Sequence, residues 1–181
     1  MIALAPILIL ARIGAHEWEE RHPRVEHDLV PWRATLEQAE REAAATGKLV
    51  FVDFSADWCA PCRQFDEEVL HDEETAAFIA KRFVPVRVMA SEDRSVATSG
   101  ADAIQERFDV TGFPTLLVPL PEPMKPQRVL GAPGKRATLD FLEAALLAQS
   151  RARRKAASAG TVPTAPALGR SMGTVPHGAG P

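Results

Sequence analysis

The 181-residue sequence predicts an α/β domain: a mixed central sheet of four to five strands with helices on both faces. Three observations predict it. Residues 49–54, Leu-Val-Phe-Val-Asp-Phe, are apolar and partly β-branched apart from one acid, the mark of a strand buried on both faces. Helical and strand-like patterns then alternate, which implies a parallel half. Two strand patterns near the end, 115–120 and 127–131, are joined by a short proline-rich turn, which implies an antiparallel half.

Taken in order, residues 1–13 are apolar except for Arg12. As a helix they span roughly 20 Å, short of the roughly 30 Å of a bilayer core. An export signal, the remnant of a longer membrane segment, and a buried N-terminal strand or helix are the readings that stand; residues 1–15 are taken as a signal-like or anchor-like segment. Residues 16–31 mix His16, His22 and His27 with five acids and read as a solvated linker rather than a metal site.

The domain is placed at 32–150. A first helix over 32–46 has Thr35 and Gln38 as a capping box, Leu36, Ala39 and Ala43 inward, and Gly47 as a left-handed stop. After the central strand comes a helix from about Cys59 to Leu70. Asp72 caps a further helix with Phe78 and Ile79 inward. Residues 83–89 alternate as a second strand, with Pro85 near its start. A loop over 90–100 precedes a helix marked by Ala101, Ile104 and Phe108. After strands three and four, Thr138 is expected to cap a last helix with Leu139, Leu142 and Leu146 on one side. From Arg151 onward Ala, Gly, Pro, Ser and Thr dominate, and a disordered basic tail is expected.

The net charge of -3 argues against a nucleic-acid partner, and its placement is uneven. Arg151, Arg153, Arg154, Lys155 and Arg170 belong to the tail, so residues 1–150 hold 16 basic against 24 acidic groups. Two cysteines in one motif leave none for a structural disulfide.

Those cysteines carry the chemistry. Trp58-Cys59-Ala60-Pro61-Cys62 lies where the central strand runs into a helix. There the first sulfur sits at the positive end of the helix, which favours its thiolate, and the pair spans one turn, close enough to form a disulfide ring. Cys59 is the expected nucleophile, and Cys62, one turn further in and more buried, the resolving thiol. Pro61 occupies the first turn, where a missing N–H costs little. Half a zinc site is the competing reading, but no second Cys-x-x-Cys or Cys-His pair follows, with His71 alone as a third donor. No metal or cofactor is assigned.

Asp53 is an acid inside an apolar strand, expensive unless it has a task or a partner. Alternation points it towards the base of the following helix, where it can accept the Cys62 proton through a water, with burial raising its pKa. An ordinary buried acid satisfied by Lys or backbone is the alternative. Arg87 and Met89 are candidates to lie beside it, and Asp66 is expected to be mostly a solvated charge. Gly112-Phe113-Pro114-Thr115 suggests a cis proline set against the cysteines, leaving the preceding backbone free to pair with a substrate. Trp58 is read as an exposed apolar rim.

Together these residues resemble the thioredoxin superfamily over about 32–148: Val52-Asp53-Phe54, Ala56-Asp57-Trp58-Cys59-Ala60-Pro61-Cys62, Gly112-Phe113-Pro114-Thr115 and Gly131. Within it, the chain is similar to the C-terminal thioredoxin-like domain of DsbD-type thiol:disulfide interchange proteins. The cues are Trp32 ahead of a helix ending in Gly47-Lys48, and Glu67-Glu68-Val69-Leu70 before a second short helix. The resemblance implies a thioredoxin fold and an envelope-facing, periplasmic-side protein-disulfide reductase. In it Cys59 attacks, Cys62 resolves, Asp53 assists and Pro114 shapes the groove, with Trp58, Ala60, Pro61, Gly112 and Phe113 lining it. Its expected partners are protein disulfides and an upstream thiol electron donor. A disulfide oxidase or isomerase, and a non-catalytic binding module, are the alternatives; a cytoplasmic site is the alternative location. A monomer is expected, with N-terminal membrane association open.

Overall fold

The computed structural model describes residues 28–91, 93 and 97–158. The signal-like segment, the histidine-rich stretch up to residue 27 and the tail beyond residue 158 lie outside the described residues.

Thr35 opens helix α1 (Leu36–Thr46), its hydroxyl accepting from Gln38 N, and Gly47 closes it with φ 71°. Strand β1 (Leu49–Ala56) is buried along its whole length. It leads into α2 (Ala60–Phe65), which widens into a π-helical turn at Asp66–Leu70 where one continuous helix was expected. Asp72 then caps α3 (Glu73–Arg82) by accepting from Thr75 N. Strand β2 (Phe83–Ala90) follows, and Thr98 ties down the far side of its loop by accepting from Met89 N and donating to Met89 O. Helix α4 (Ala101–Arg107), strands β3 (Thr115–Val118) and β4 (Gln127–Leu130), and helix α5 (Lys135–Ser158) complete the order. Strand β3 stops before Pro119, which has no N–H to give the ladder.

The sheet order is β2-β1-β3-β4. Strand β1 runs parallel to β2, which places Asp53 directly beside Arg87; β1 with β3, and β3 with β4, are antiparallel. A single parallel bridge from Arg33 to Val86 adds a rudimentary fifth strand on the outer side of β2. Alternation divides β1 between two apolar layers. Val50, Val52 and Phe54 pack against α1 and α4 through Leu36, Ala39 and Ala101. Leu49 and Phe51 pack against the other helices through Phe65, Ile79, Leu142 and Ala145.

Three boundaries differ from expectation. Val30 is only 2% exposed and belongs to the second layer, so the domain begins inside the stretch assigned to a solvated linker. Helix α5 begins at Lys135, and Thr138 is buried within it, donating to the carbonyls of Pro133 and Gly134 rather than capping. The same helix continues through Arg151 to Ser158, where disorder was expected, because Gln149 and Arg153 bind the Gly47 carbonyl and fasten the helix to the body.

Candidate active site

The carboxyl end of β1 delivers the cysteines. After Ala56 the chain turns through Asp57 and Trp58, and Cys59 stands as the N-cap of α2 in an extended conformation, with Pro61 in the first turn. The Arg63 guanidinium donates to the Asp57 carbonyl at 3.1 Å, and the Ser91 hydroxyl donates to the Asp57 carboxylate, so the turn is held from both sides. Cys59 and Cys62 form a disulfide with their Cα atoms 5.3 Å apart, and Cys62 N donates to Cys59 Sγ at 3.1 Å. Cys59 is 7% exposed and Cys62 3%, so Cys59 is the sulfur nearer solvent. Ala60 and Pro61 are exposed beside it.

The second wall comes from the segment before β3. The Phe113–Pro114 bond is cis, and Phe113 packs against Ala56, Cys59, Cys62 and Ala90. Thr115 Oγ1 donates to the Gly112 carbonyl at 2.7 Å, and Gly131 N donates to the Pro114 carbonyl at 2.8 Å. Gly131 has φ 96°, a left-handed conformation that an L side chain adopts only with strain. Trp58 is 58% exposed and meets Phe113 edge-on at 6.4 Å, so an aromatic rim stands over the disulfide. Leu130, also exposed, extends this apolar surface beside Gly112, where an added Cβ would lie 3.3 Å from Leu130 Cδ1.

A buried charge cluster gathers around Arg87, whose register partner Asp53 lies on the strand that runs into the pair. Arg87 Nε donates to Asp53 Oδ2 at 2.8 Å and Nη2 to Asp66 Oδ1, while Asp28 stands 4.0 Å away and the Trp32 ring covers the guanidinium at 4.6 Å. Asp53 Oδ1 is buried and has no hydrogen-bond partner among the described residues. Burial pushes the Asp53 pKa up, against the opposing pull of Arg87. Asp66 is pushed up to about 6, by burial first, with Arg87 opposing and the Asp53 charge adding to the rise. One cation thus serves three carboxylates, and a proton is easier to place on this cluster than on solvated acids.

The structure packs Phe113 against Cys59 and Cys62 and edge-on to Trp58, with the cis Pro114 next in the chain, and it buries Asp53 on β1, the strand that runs into the cysteines. Asp66, expected in solvent, is turned inward to Arg87. Of the two candidates to lie beside Asp53, Arg87 is its register partner and binds its carboxylate, while Met89 stands opposite Ser55. Trp32 and Asp28 were not legible as parts of this cluster: Trp32 read only as the lead into the first helix, and Asp28 as one charge of the linker. Leu130 was legible only as an edge-strand residue. Among the described residues no group of three or more His, Cys, Asp or Glu side chains is placed to hold a metal ion.

A family model described as thioredoxin-like matches residues 31–120, the stretch that supplies β1, the cysteines and the cis proline. This is a thioredoxin-like domain. Among solved structures, the thioredoxin-like domain shares its fold with a DsbH oxidoreductase, at TM-score 0.56 and 21% identity over 65% of this chain and 84% of that one. It shares it also with a thioredoxin from Thermus thermophilus, at TM-score 0.53 and 24% identity over 71% and 92%. In sequence it is 33% identical over 99 residues to the thiol:disulfide interchange protein DsbD of Pseudoalteromonas atlantica, covering 55% of this chain and 16% of that protein. The DsbD of Yersinia enterocolitica is 29% identical over 122 residues, covering 65% and 20%. The match therefore spans at most about a fifth of the length of these relatives.

Proposed function

We propose that this domain reduces protein disulfides by dithiol exchange through Cys59 and Cys62, on the periplasmic side of the cell envelope. The observation that carries this reading is the cysteine pair at the leading end of α2, with Phe113 packed against it just ahead of the cis Pro114 and edge-on to Trp58. The support from relatives is their name as thiol:disulfide interchange proteins.

In the dithiol form, the Cys59 thiolate attacks one sulfur of a substrate disulfide. The substrate S–S bond breaks, a mixed disulfide forms on Cys59, and the leaving sulfur takes a proton. The Cys62 thiol then gives its proton through a water to Asp53, whose buried Oδ1 has no hydrogen-bond partner among the described residues, and attacks Cys59 Sγ. The bond between Cys59 and the substrate breaks, and the second substrate sulfur leaves as a thiolate that takes a proton from solvent. The substrate gains two electrons and the domain is left as the Cys59–Cys62 disulfide, for an upstream thiol donor to reduce again. Trp58, Ala60, Pro61, Gly112 and Phe113 form the surface against which the substrate lies.

The test is insulin reduction with dithiothreitol, alongside a redox titration of the pair. A potential near or below about -200 mV and loss of turnover in Cys59→Ser agree with a reductase. A potential above about -150 mV makes the domain an oxidant instead, and full cellular activity of Cys59→Ser makes it a binding module. Cys62→Ser, which stalls the mixed disulfide, identifies the substrates and the donor.

A further inference from the structure

The final turns of α5 carry charge of one sign. After Glu143 the helix has no acid, and Arg151, Arg153, Arg154 and Lys155 fall within its last eight residues. At about 100° per residue, Leu147, Arg151 and Arg154 stand on one face with Lys155 beside them. All four are exposed. The opposite face is fastened to the body: Gln149 and Arg153 donate to the Gly47 carbonyl at 3.4 and 2.8 Å. They continue the inward stripe of Thr138, Leu142 and Ala145. The basic face is therefore held in a fixed orientation rather than trailing from a frayed end.

Neighbouring elements add to it. Lys48, just past Gly47, donates to the Ala80 carbonyl at 3.0 Å, which draws in the end of α3 with its exposed Lys81 and Arg82. An open cleft of about 240 Å³ joins the two helices, with Phe78 and Arg82 on one side and Glu143, Leu146 and Leu147 on the other. Glu143 is the one carboxylate in that cleft, and Glu42 of α1 is turned to Arg33. Among the described residues Lys81, Arg82, Arg151, Arg154 and Lys155 form no ion pair. Bases near a helix C-terminus complement its dipole, which accounts for their choice within each helix. It leaves unexplained an exposed leucine, 55% accessible, set among them.

The place of this pole in the fold suits a docking surface. It lies where β1 begins, whereas Cys59 follows the other end of that eight-residue strand, about 26 Å away. A partner at the pole leaves the Trp58–Phe113 rim free.

We propose that the basic pole rests on an anionic lipid surface, with only the last turns of α5 against the headgroups, Leu147 dipping between them, the exposed Arg136, Asp140 and Glu143 nearer the helix start tilted clear, and the cysteine face turned away. A lone leucine among arginines on an exposed helix fits the boundary between headgroups and acyl chains. The acidic body of the domain, repelled by the same surface, keeps the pole facing it. Nothing in this pole involves the cysteines, so its failure leaves the redox reading untouched.

The test is co-sedimentation of the full chain with vesicles of phosphatidylcholine containing 30% phosphatidylglycerol (about one lipid in three anionic), against pure phosphatidylcholine. Each base near such a surface strengthens binding roughly fivefold. The triple variant Arg151→Gln, Arg154→Gln, Lys155→Gln is therefore expected to bind the anionic vesicles on the order of 100-fold more weakly. A control with equal charge change, Arg41→Gln, Lys125→Gln, Arg136→Gln, is expected to bind at least ten times more tightly than that triple variant. Binding is expected to collapse in about 1 M salt, where the screening length is about 3 Å. Unchanged insulin turnover shows that the variants fold. Every variant keeps the apolar residues 1–13, so their contribution cancels. Equal binding of the triple variant and the control, or equal binding to neutral vesicles, overturns the proposal. So does retention on heparin or duplex DNA without vesicle binding.

Discussion

Replacing Asp66 by Asn tests the buried charge cluster at its most informative point. Asp66 titrates at about 6 in the folded domain, where an unfolded chain has it near 3.9. Because the folded value is the higher one, the folded state binds the extra proton. Stability is then fullest below about pH 4 and declines as pH rises through 6. Two units correspond to about 3 kcal/mol, and the side chain's 22% exposure reduces this to about 2. Asparagine keeps the acceptor oxygen for Arg87 and removes the charge. It also removes the negative neighbour that raises the pKa of Asp53, an effect of the same sign. Urea unfolding of the oxidised protein at pH 4, 6 and 7.5 is expected to give equal stability at the lowest pH. At pH 7.5 Asp66→Asn is expected to be the more stable by about 2 kcal/mol. A variant that is less stable at pH 7.5, or whose difference does not change with pH, refutes the reasoning.

Other perturbations separate the remaining roles. Arg87→Leu strands two buried carboxylates and is expected to cost about 3–5 kcal/mol at neutral pH. The deficit shrinks on acidification as both acids take up protons, readable in the same urea titrations. Asp53→Asn is expected to slow resolution of the mixed disulfide on the order of 100-fold, the lower end for a positioned base. Rapid-mixing kinetics check this, with the first attack by Cys59 much less affected. Gly131→Ala meets open space but a left-handed backbone, and a loss of about 1–2 kcal/mol is expected in denaturant titration. Trp58→Ala is expected to raise KM for a protein disulfide about 5–30-fold, while turnover of a small aromatic disulfide stays within twofold.

Much of this was legible in the sequence because it rests on local chemistry. The Thr35 cap, the Gly47 stop, the buried run of β1 and the Cys-x-x-Cys junction each follow from a few adjacent residues. The cis Pro114 and the exposed Trp58 were read from their neighbours together with the cysteines. What escaped depends on contacts between distant segments. Asp66 looks solvated beside Glu67 and Glu68, and only the wider π-helical turn and the reach of Arg87 from β2 bring it inside. Val30 sits among charges and prolines, yet it fills the layer under α5. The end of α5 has a tail-like composition, and two bonds to the Gly47 carbonyl hold it. A buried stripe that ends in Gln and Arg offers no periodic apolar signal to extend.

The pairing of Asp53 with Arg87 across adjoining parallel strands has a consequence for how the sheet is assembled. Slide β2 by one residue and Val86 or Val88 stands opposite the acid, while the guanidinium swings onto the layer of Leu36 and Phe108. Slide it by two, and the acid faces Pro85 or Met89. Each misalignment leaves a naked carboxylate in the interior, a far heavier penalty than a displaced methyl group. The same ion pair that anchors the buried acids therefore also proofreads the alignment of the two strands.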